Sequence, residues 1–326
     1  MVHNEKILIT GATGFIGANL TRALLEKGAK VYIFTRKTSD KWRIKDILGD
    51  ITEYCVDLTY EQEVENIVSH IQPEIIFHTT AYGGYPLQGD SKKIYETNLI
   101  GTINLINACR KIGFKIFINT GSSSEYGIKK CPMKERDTLE PISDYGISKA
   151  LATLFCQMRA KSDGLPITTL RLFSPYGYYE EATRLIPSVI LSCLRGKSPE
   201  VLSPCAVRDF IFIEDVIDVY LRVVANKDKI AGEIFNIGYG VQYSVKEVVD
   251  EIIQLTGNIV KPVYKSVFNP GIEPQIWQAD ISKVKNALGW VPKYDLKMGL
   301  SKSIRWFAEN MILYEQNDGR IKYETV

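Results

Sequence analysis

The segment Gly11-Ala12-Thr13-Gly14-Phe15-Ile16-Gly17 constrains this chain more than any other stretch. It follows a short apolar run, KILIT (6–10), and opens onto helical spacing in ANLTRALLEKG (18–28). A strand that turns at once into a helix needs a tight, permissive joint, and Gly11 supplies it. Gly14 lets the backbone approach a diphosphate, and Gly17 lets helix and strand pack closely. The diphosphate would meet open N–H groups and the positive end of the helix dipole, with Thr13, Phe15 and Ile16 completing the cradle. The spacing is G-x-x-G-x-x-G, so a plain strand–helix connection competes with this reading. Its place directly behind the first strand favours nucleotide binding.

Strand and helix signals then alternate. KVYIFT (30–35) is β-branched and aromatic, and Val64, Ile67, Val68 and Ile71 mark a helix face. EIIFHTT (74–80), KIFINTG (115–121) and ITTLRLF (167–173) read as buried strands, with helical patterns at 98–111 and 144–161 between them. This rhythm predicts an α/β fold: a doubly wound parallel sheet of the Rossmann type. After residue 173 prolines and glycines interrupt it, with turn-rich pieces near 236–244 and 262–278, while RDFIFIEDVIDVYLRVV (208–224) returns to strand then helix. The expected division is a dinucleotide-binding domain of 1–173 plus about 208–235. A smaller substrate lobe takes about 174–207 and 236–315, and 316–326 is a tail. A chain of 326 residues is long enough for both.

Composition excludes more than it suggests. A net charge of +2 argues for neither a nucleic acid nor a membrane partner. No apolar run approaches the length of about 18 residues needed to cross a bilayer. The N-terminus lacks a signal-peptide layout, and the six scattered cysteines read as reduced thiols of a cytoplasmic protein. With three histidines, a multi-histidine metal site is not expected; His78 ends an apolar run and reads as a buried structural residue.

Two places speak to chemistry. An NAD site usually carries an acid at the end of the second strand to accept the ribose hydroxyls. Here stand Phe34, Thr35, Arg36 and Lys37, and no carboxylate comes before Asp40. Arg36 can grip a 2′-phosphate with paired N–H bonds, so NADP(H) is favoured and NAD(H) is the alternative. Arg36 and Lys37 as solvated loop charges is the competing reading. The second place is Tyr145-Gly146-Ile147-Ser148-Lys149, where Tyr145 and Lys149 fall one helical turn apart. An ammonium near a phenol favours the phenolate and so a proton exchange near neutral pH. The TGSSS segment (120–124) offers a hydroxyl to hold a substrate oxygen beside Tyr145.

GATGFIG, GSSSEYG and YGISK, in that order, resemble the extended short-chain dehydrogenase/reductase family, in particular its nucleotide-sugar epimerases, dehydratases and reductases. NLIGTINLINAC (98–109), RLFSPYG (171–177), RDFIFIEDV (208–216) and LGWVPKYDLKMGL (288–300) extend the resemblance over roughly 6–308. It implies Tyr145 as acid/base, Lys149 as its partner and ribose ligand, and Ser122 as the third member of the triad. It implies Asp57 at the adenine amino group, with Leu58 and Ala81 along the cofactor. Arg208 is implied at the substrate diphosphate, with an ion pair to Glu214 or Asp215 as the structural alternative. Tyr82, Ser123, Ser124 and Ser174 stand where relatives meet the substrate, and Tyr85 shares a loop with Tyr82.

Three departures qualify this. Ser123 and Ser124 replace the acids of 4,6-dehydratases, leaving Glu125 as the nearby carboxylate. Ser174 replaces an asparagine before Pro175-Tyr176-Gly177. Pro274 to Gln278 holds no arginine where many relatives have one. The SSSEYG segment also resembles CDP-abequose and CDP-paratose synthases, which are C4 ketoreductases. With Arg36, this sets the expectation at an NADPH-dependent reductase of a nucleotide 4-ketosugar, with an NAD-dependent 4-epimerase as the rival. A non-catalytic redox sensor on the same fold is the rival of another class. A homodimer is expected through the helices after Asn98 and around Tyr145, using Leu99, Ile103, Ile106, Ala150, Thr153 and Leu154.

Overall fold

The computed structural model describes residues 2–85, 88–258, 260–265 and 274–315. Seven strands form the main sheet: β1 (Lys6–Thr10), β2 (Lys30–Thr35), β3 (Thr52–Cys55), β4 (Ile75–His78), β5 (Ile116–Ser122), β6 (Ile167–Leu172) and β7 (Ile234–Ile237). Their spatial order is β7-β6-β5-β4-β1-β2-β3, and every neighbouring pair is parallel. The central strands bury both faces, which is why they read as continuous apolar runs. Successive side chains go to opposite sides of the sheet: Ile7 and Ile9 join one core and Leu8 the other.

Helices cover both faces. α1 (Phe15–Leu25), α5 (Leu185–Leu194) and α6 (Ile213–Ala225) share the larger core with Ile7 and Ile9. α2 (Glu61–Ile71) and α3 (Gly101–Ile112) pack with Leu8, Ile76 and Phe117. α4 (Asp144–Asp163) lies against β5 and β6. The chain winds outward through β2 and β3, then crosses back to β4 beside β1. That reversal opens a crevice at the C-terminal ends of β1 and β4, where sheets of this kind receive ligands.

Several expectations shift. The helix expected from residue 98 begins at Ser91, capped by Asp90, and runs through a wider π turn (Glu96–Ile100) into α3. A one-face apolar periodicity cannot show such a turn, because the register changes inside it. β7 extends to Ile237, so the expected boundary at 235 cuts a sheet strand. The later segments are tied by short pairs: Pro175–Tyr176 with Ile211–Phe212, Val207–Arg208 with Tyr243–Ser244, and Glu200–Leu202 with Val263–Lys265. The expected tail, 316–326, lies outside the described residues.

The residues expected at a dimer contact divide, with Leu154 exposed as expected. Ile106, Ala150 and Thr153 are buried inside the protein, whereas α4 exposes Ile147, Leu151, Leu154 and Met158. No helix among the described residues is long and apolar enough to cross a membrane. All six cysteines are free thiols. His78 is buried as expected, its Nδ1 2.6 Å from the Thr10 hydroxyl and its Nε2 2.8 Å from that of Thr102.

Candidate active site

A cleft of about 810 Å³ follows the crevice. Gly11, Thr13, Gly14, Phe15, Ile16 and Gly17 line one part of it, together with Arg36, Asp57, Leu58 and Ala81. Ser122, Ser123, Ser124, Tyr145, Ser174 and Arg208 line it too. The sequence reading thus converges on one place for all but two of its candidates.

Gly11 has φ +74°, and a Cβ there would stand 2.6 Å from the Thr80 amide nitrogen. At Gly17 a Cβ would stand 2.2 Å from the Gly11 carbonyl oxygen, so the turn and helix close on each other to a degree only glycine allows. α1 starts at Gly14 with no side-chain cap and no acid in its first turn. Its N-terminal N–H groups and dipole face the cleft without a competing anion, which suits a dinucleotide's diphosphate.

The end of β2 carries one contact that the order of residues does not reveal. The Thr35 hydroxyl donates to Glu53 of β3, which also pairs with Lys41. Burial raises the Glu53 pKa, but the bonds from Lys41 and Thr35 outweigh it and hold the carboxyl below its ordinary range. A carboxylate of the neighbouring strand thus takes up the Thr35 hydroxyl, while Glu53 itself is not among the cleft-lining residues. Sheet pairing, Ile33 with Glu53 and Thr35 with Cys55, brings it there. Arg36 lines the cleft, its amide donating to the Ser39 hydroxyl at 2.9 Å. Asp57 Oδ1 accepts from the Thr59 amide (3.0 Å) and hydroxyl (2.9 Å), which fixes its rotamer.

Tyr145 and Lys149 sit in the first turns of α4, and Tyr145 lines the cleft with Ser122 close enough to act on its phenol. Burial pushes the phenol above its ordinary pKa; Ser122 and Arg184 pull the other way. Lys149 is not among the groups that chiefly set this balance, which removal from water dominates. Lys149 is 2% exposed, and burial depresses its own pKa. Its charge adds to burial in pushing His78 down to about 3.

Glu125 proves structural. It is fully buried; Oε1 accepts from the Ser122 amide (2.8 Å) and the Thr153 hydroxyl (3.0 Å), and Oε2 accepts from Arg171 Nε (2.7 Å). With the Ser122 hydroxyl accepting from the Ser124 amide, this is a capping box closing the turn Ser123–Glu125. The S-x-x-E pattern in Ser122 to Glu125 carried that signal in the sequence.

Tyr82 is the other candidate displaced. Its ring lies under the Lys93 ammonium (4.8 Å), and its backbone is held at both N–H and C=O by Asn98. Tyr85 lines the cleft instead. Asn98, buried in the π turn, also donates to the Ser148 hydroxyl at 2.9 Å and so ties this loop to α4. Arg184 and Glu180 line the cleft as well, and burial pushes the Glu180 carboxyl up to about 8. Both lie in an irregular segment where no periodicity marks a site. Glu214 bonds Lys302 and Tyr178, and Asp215 receives the amides of Lys293 and Tyr294, so neither is committed to Arg208. The Arg208 guanidinium lies over the Trp277 ring, 5.2 Å from its centroid.

A parallel sheet with its glycine turn at the switch point, and a half-buried tyrosine beside serines in the same cleft, define a nucleotide-binding Rossmann enzyme. The chain belongs to the NAD dependent epimerase/dehydratase family, whose model matches residues 7–238. It is 30% identical over 322 residues to the UDP-N-acetyl-alpha-D-glucosaminuronate decarboxylase of Bacillus cytotoxicus, covering 94% of this chain and 98% of the relative. Its fold matches the UDP-glucose 4-epimerase of Thermotoga maritima, solved with UDP-glucose, at TM-score 0.86 and 28% identity over 94% of this chain and 99% of that one. It also matches the UDP-glucuronic acid 4-epimerase of Bacillus cereus, solved with UDP-glucuronic acid and NAD. There the TM-score is 0.83 and the identity 25%, over 94% of this chain and 99% of that one.

Proposed function

We propose that the chain is an NAD-dependent 4-epimerase of a nucleoside-diphosphate sugar. The observation that carries this is the placement of Tyr145 and Ser122 together in the cleft that also holds the glycine turn. Glu125 is locked to Arg171 and two serines follow Ser122, so the positions directly after Ser122 present no carboxylate to the cleft for eliminating water. That disfavours a dehydratase. NAD is the cofactor in the family's name and is bound in the Bacillus cereus epimerase structure, which supports NAD here.

The glycine turn and the start of α1 would hold the cofactor diphosphate, with Asp57 at the adenine and Lys149 at a ribose. A bound nicotinamide would supply a two-electron acceptor able to take a hydride from the sugar's C4 and return it. Ser122 would hold the C4 oxygen of the sugar, and Tyr145 would take the hydroxyl proton. Tyr145 would return that proton to the same oxygen once the sugar presents its other face. Arg208 would hold the substrate diphosphate.

Arg36 keeps a second reading, an NADPH-dependent reductase of a 4-ketosugar. Incubating the protein with NAD and the glucose and galactose esters of UDP, dTDP, CDP and GDP separates the two. An epimerase equilibrates the C4 epimers with no net reduction of the cofactor. Failure on every pair, with stoichiometric NADPH oxidation on a 4-keto-6-deoxyhexose nucleotide, would establish the reductase. Dissociation constants for NAD and NADP, on wild type and Arg36→Ala, report the role of Arg36 directly. We further infer a homodimer through the exposed apolar stripe of α4.

A further inference from the structure

Trp277 lies in the segment that carries no arginine, and it touches two cleft residues at once. Its indole Nε1 donates to the Ser123 hydroxyl at 3.1 Å, while its ring face lies beneath the Arg208 guanidinium, 5.2 Å away. All three residues line the cleft. The segment is firmly anchored. The Trp277 amide donates to Gln242 Oε1 at 2.8 Å, and Gln242 Nε2 donates to the Gln275 carbonyl at 3.1 Å. Asp209, next to Arg208 and fully buried, accepts from the amides of Tyr239 (2.7 Å), Gly240 (3.0 Å) and Ala279 (2.9 Å). One carboxylate therefore pins the Arg208 strand to the Trp277 segment.

We propose that Trp277 is a positioning residue for the substrate, fixing the separation between the guanidinium that grips its diphosphate and the hydroxyl that meets its sugar. This rests on the reading of the cleft as a nucleotide-sugar site. The chemistry of the hydroxyl supplies the reason. Serine offers one proton and two lone pairs, and an indole N–H can only donate. Trp277 occupies one lone pair of Ser123, so the hydroxyl keeps its proton for an oxygen of the sugar. The ring face holds the guanidinium by cation–π attraction, which orients its fork toward an anion. Ser123 adjoins Ser122, the partner of Tyr145, so this spacing sets where C4 falls relative to the phenol.

Two substitutions separate the two contacts. Trp277→Phe keeps the ring and removes the N–H; Trp277→Ala removes both. Calorimetry would compare UDP, dTDP, CDP and GDP with their glucose esters. In Trp277→Phe the free nucleotide should bind as in wild type, while the extra affinity given by the sugar falls about two- to tenfold. Ser123→Ala should lose the same increment, and the double variant no more than either alone. Trp277→Ala should weaken the free nucleotide too, by about two- to fivefold. NAD affinity should stay at its wild-type value in each variant, which confirms that the fold is intact. A wild-type sugar increment in Trp277→Phe, or additive losses with Ser123→Ala, would overturn the role of Trp277 alone. Failure of the wild-type protein to bind any of the eight compounds would overturn this inference together with the nucleotide-sugar reading.

Discussion

Tyr145→Phe removes one oxygen and leaves the ring that packs in the cleft wall. Turnover should fall about 10²- to 10⁴-fold, the usual worth of general acid–base catalysis, with NAD affinity nearly unchanged. Single-turnover kinetics with the true substrate checks this, and a loss under tenfold would sink the assignment. His78 permits a second test. Its pKa in the fold, about 3, lies below the ordinary value of 6.5, so the unfolded chain takes the proton more readily. The stability that His78 contributes is complete above about pH 6.5 and is lost as pH falls toward 3. Urea unfolding between pH 6.5 and 4.5 should show a shallower loss in His78→Asn, by up to about 1.4 kcal/mol per pH unit. At this scale the sequence was informative wherever a residue type stood in a fixed motif. Tyr145, Ser122 and Asp57 were legible for that reason. Glu53 was not, because its approach to Thr35 depends on pairing between strands. Tyr82 and Tyr85 were indistinguishable, because which of them faces the cleft depends on Asn98 holding the loop.

The strand–turn–helix unit of β1 and α1 was legible almost residue by residue, since steric demand at Gly11 and Gly17 leaves a single residue type acceptable. Gly17→Ala tests it: the added carbon would stand 2.2 Å from the Gly11 oxygen, against backbone that cannot swing aside. The variant should lose NAD binding and lose roughly 1–3 kcal/mol of stability from overpacking. Isothermal titration and denaturant melts measure the two effects, and wild-type NAD affinity would contradict the tight-turn account. The segments after residue 173 were poorly legible for the opposite reason. Their two- and three-residue strands pair over long distances in sequence, as Val207–Arg208 does with Tyr243–Ser244. Too few residues alternate there to leave a period.

For the molecule as a whole, α4 places its apolar stripe outside while its opposite face carries Lys149 and Ser148 inward. Ile147, Leu151, Leu154 and Met158 are 36–49% exposed, at spacing that keeps them on one side of the helix. Leu151→Glu with Leu154→Glu should convert a dimer to a monomer in sedimentation velocity at micromolar concentration. A wild-type monomer would remove the proposal. The pattern was visible in sequence, but its angular position was not, because that depends on how the helix is rolled against β5. The π turn at Glu96–Ile100 has a bearing on the same helix. It inserts one extra residue, so the two halves of the 91–112 helix are offset by about 100°. The half before it meets the start of α4, where Asp144 accepts from the Ser91 hydroxyl (2.5 Å) and the Tyr95 phenol (2.9 Å). The half after it answers to the sheet, through Leu105, Ile106 and Cys109. The turn works like a clutch between two shafts: a residue change ahead of it can re-aim the contact with the helix that carries Tyr145 without rotating the teeth that mesh with the core.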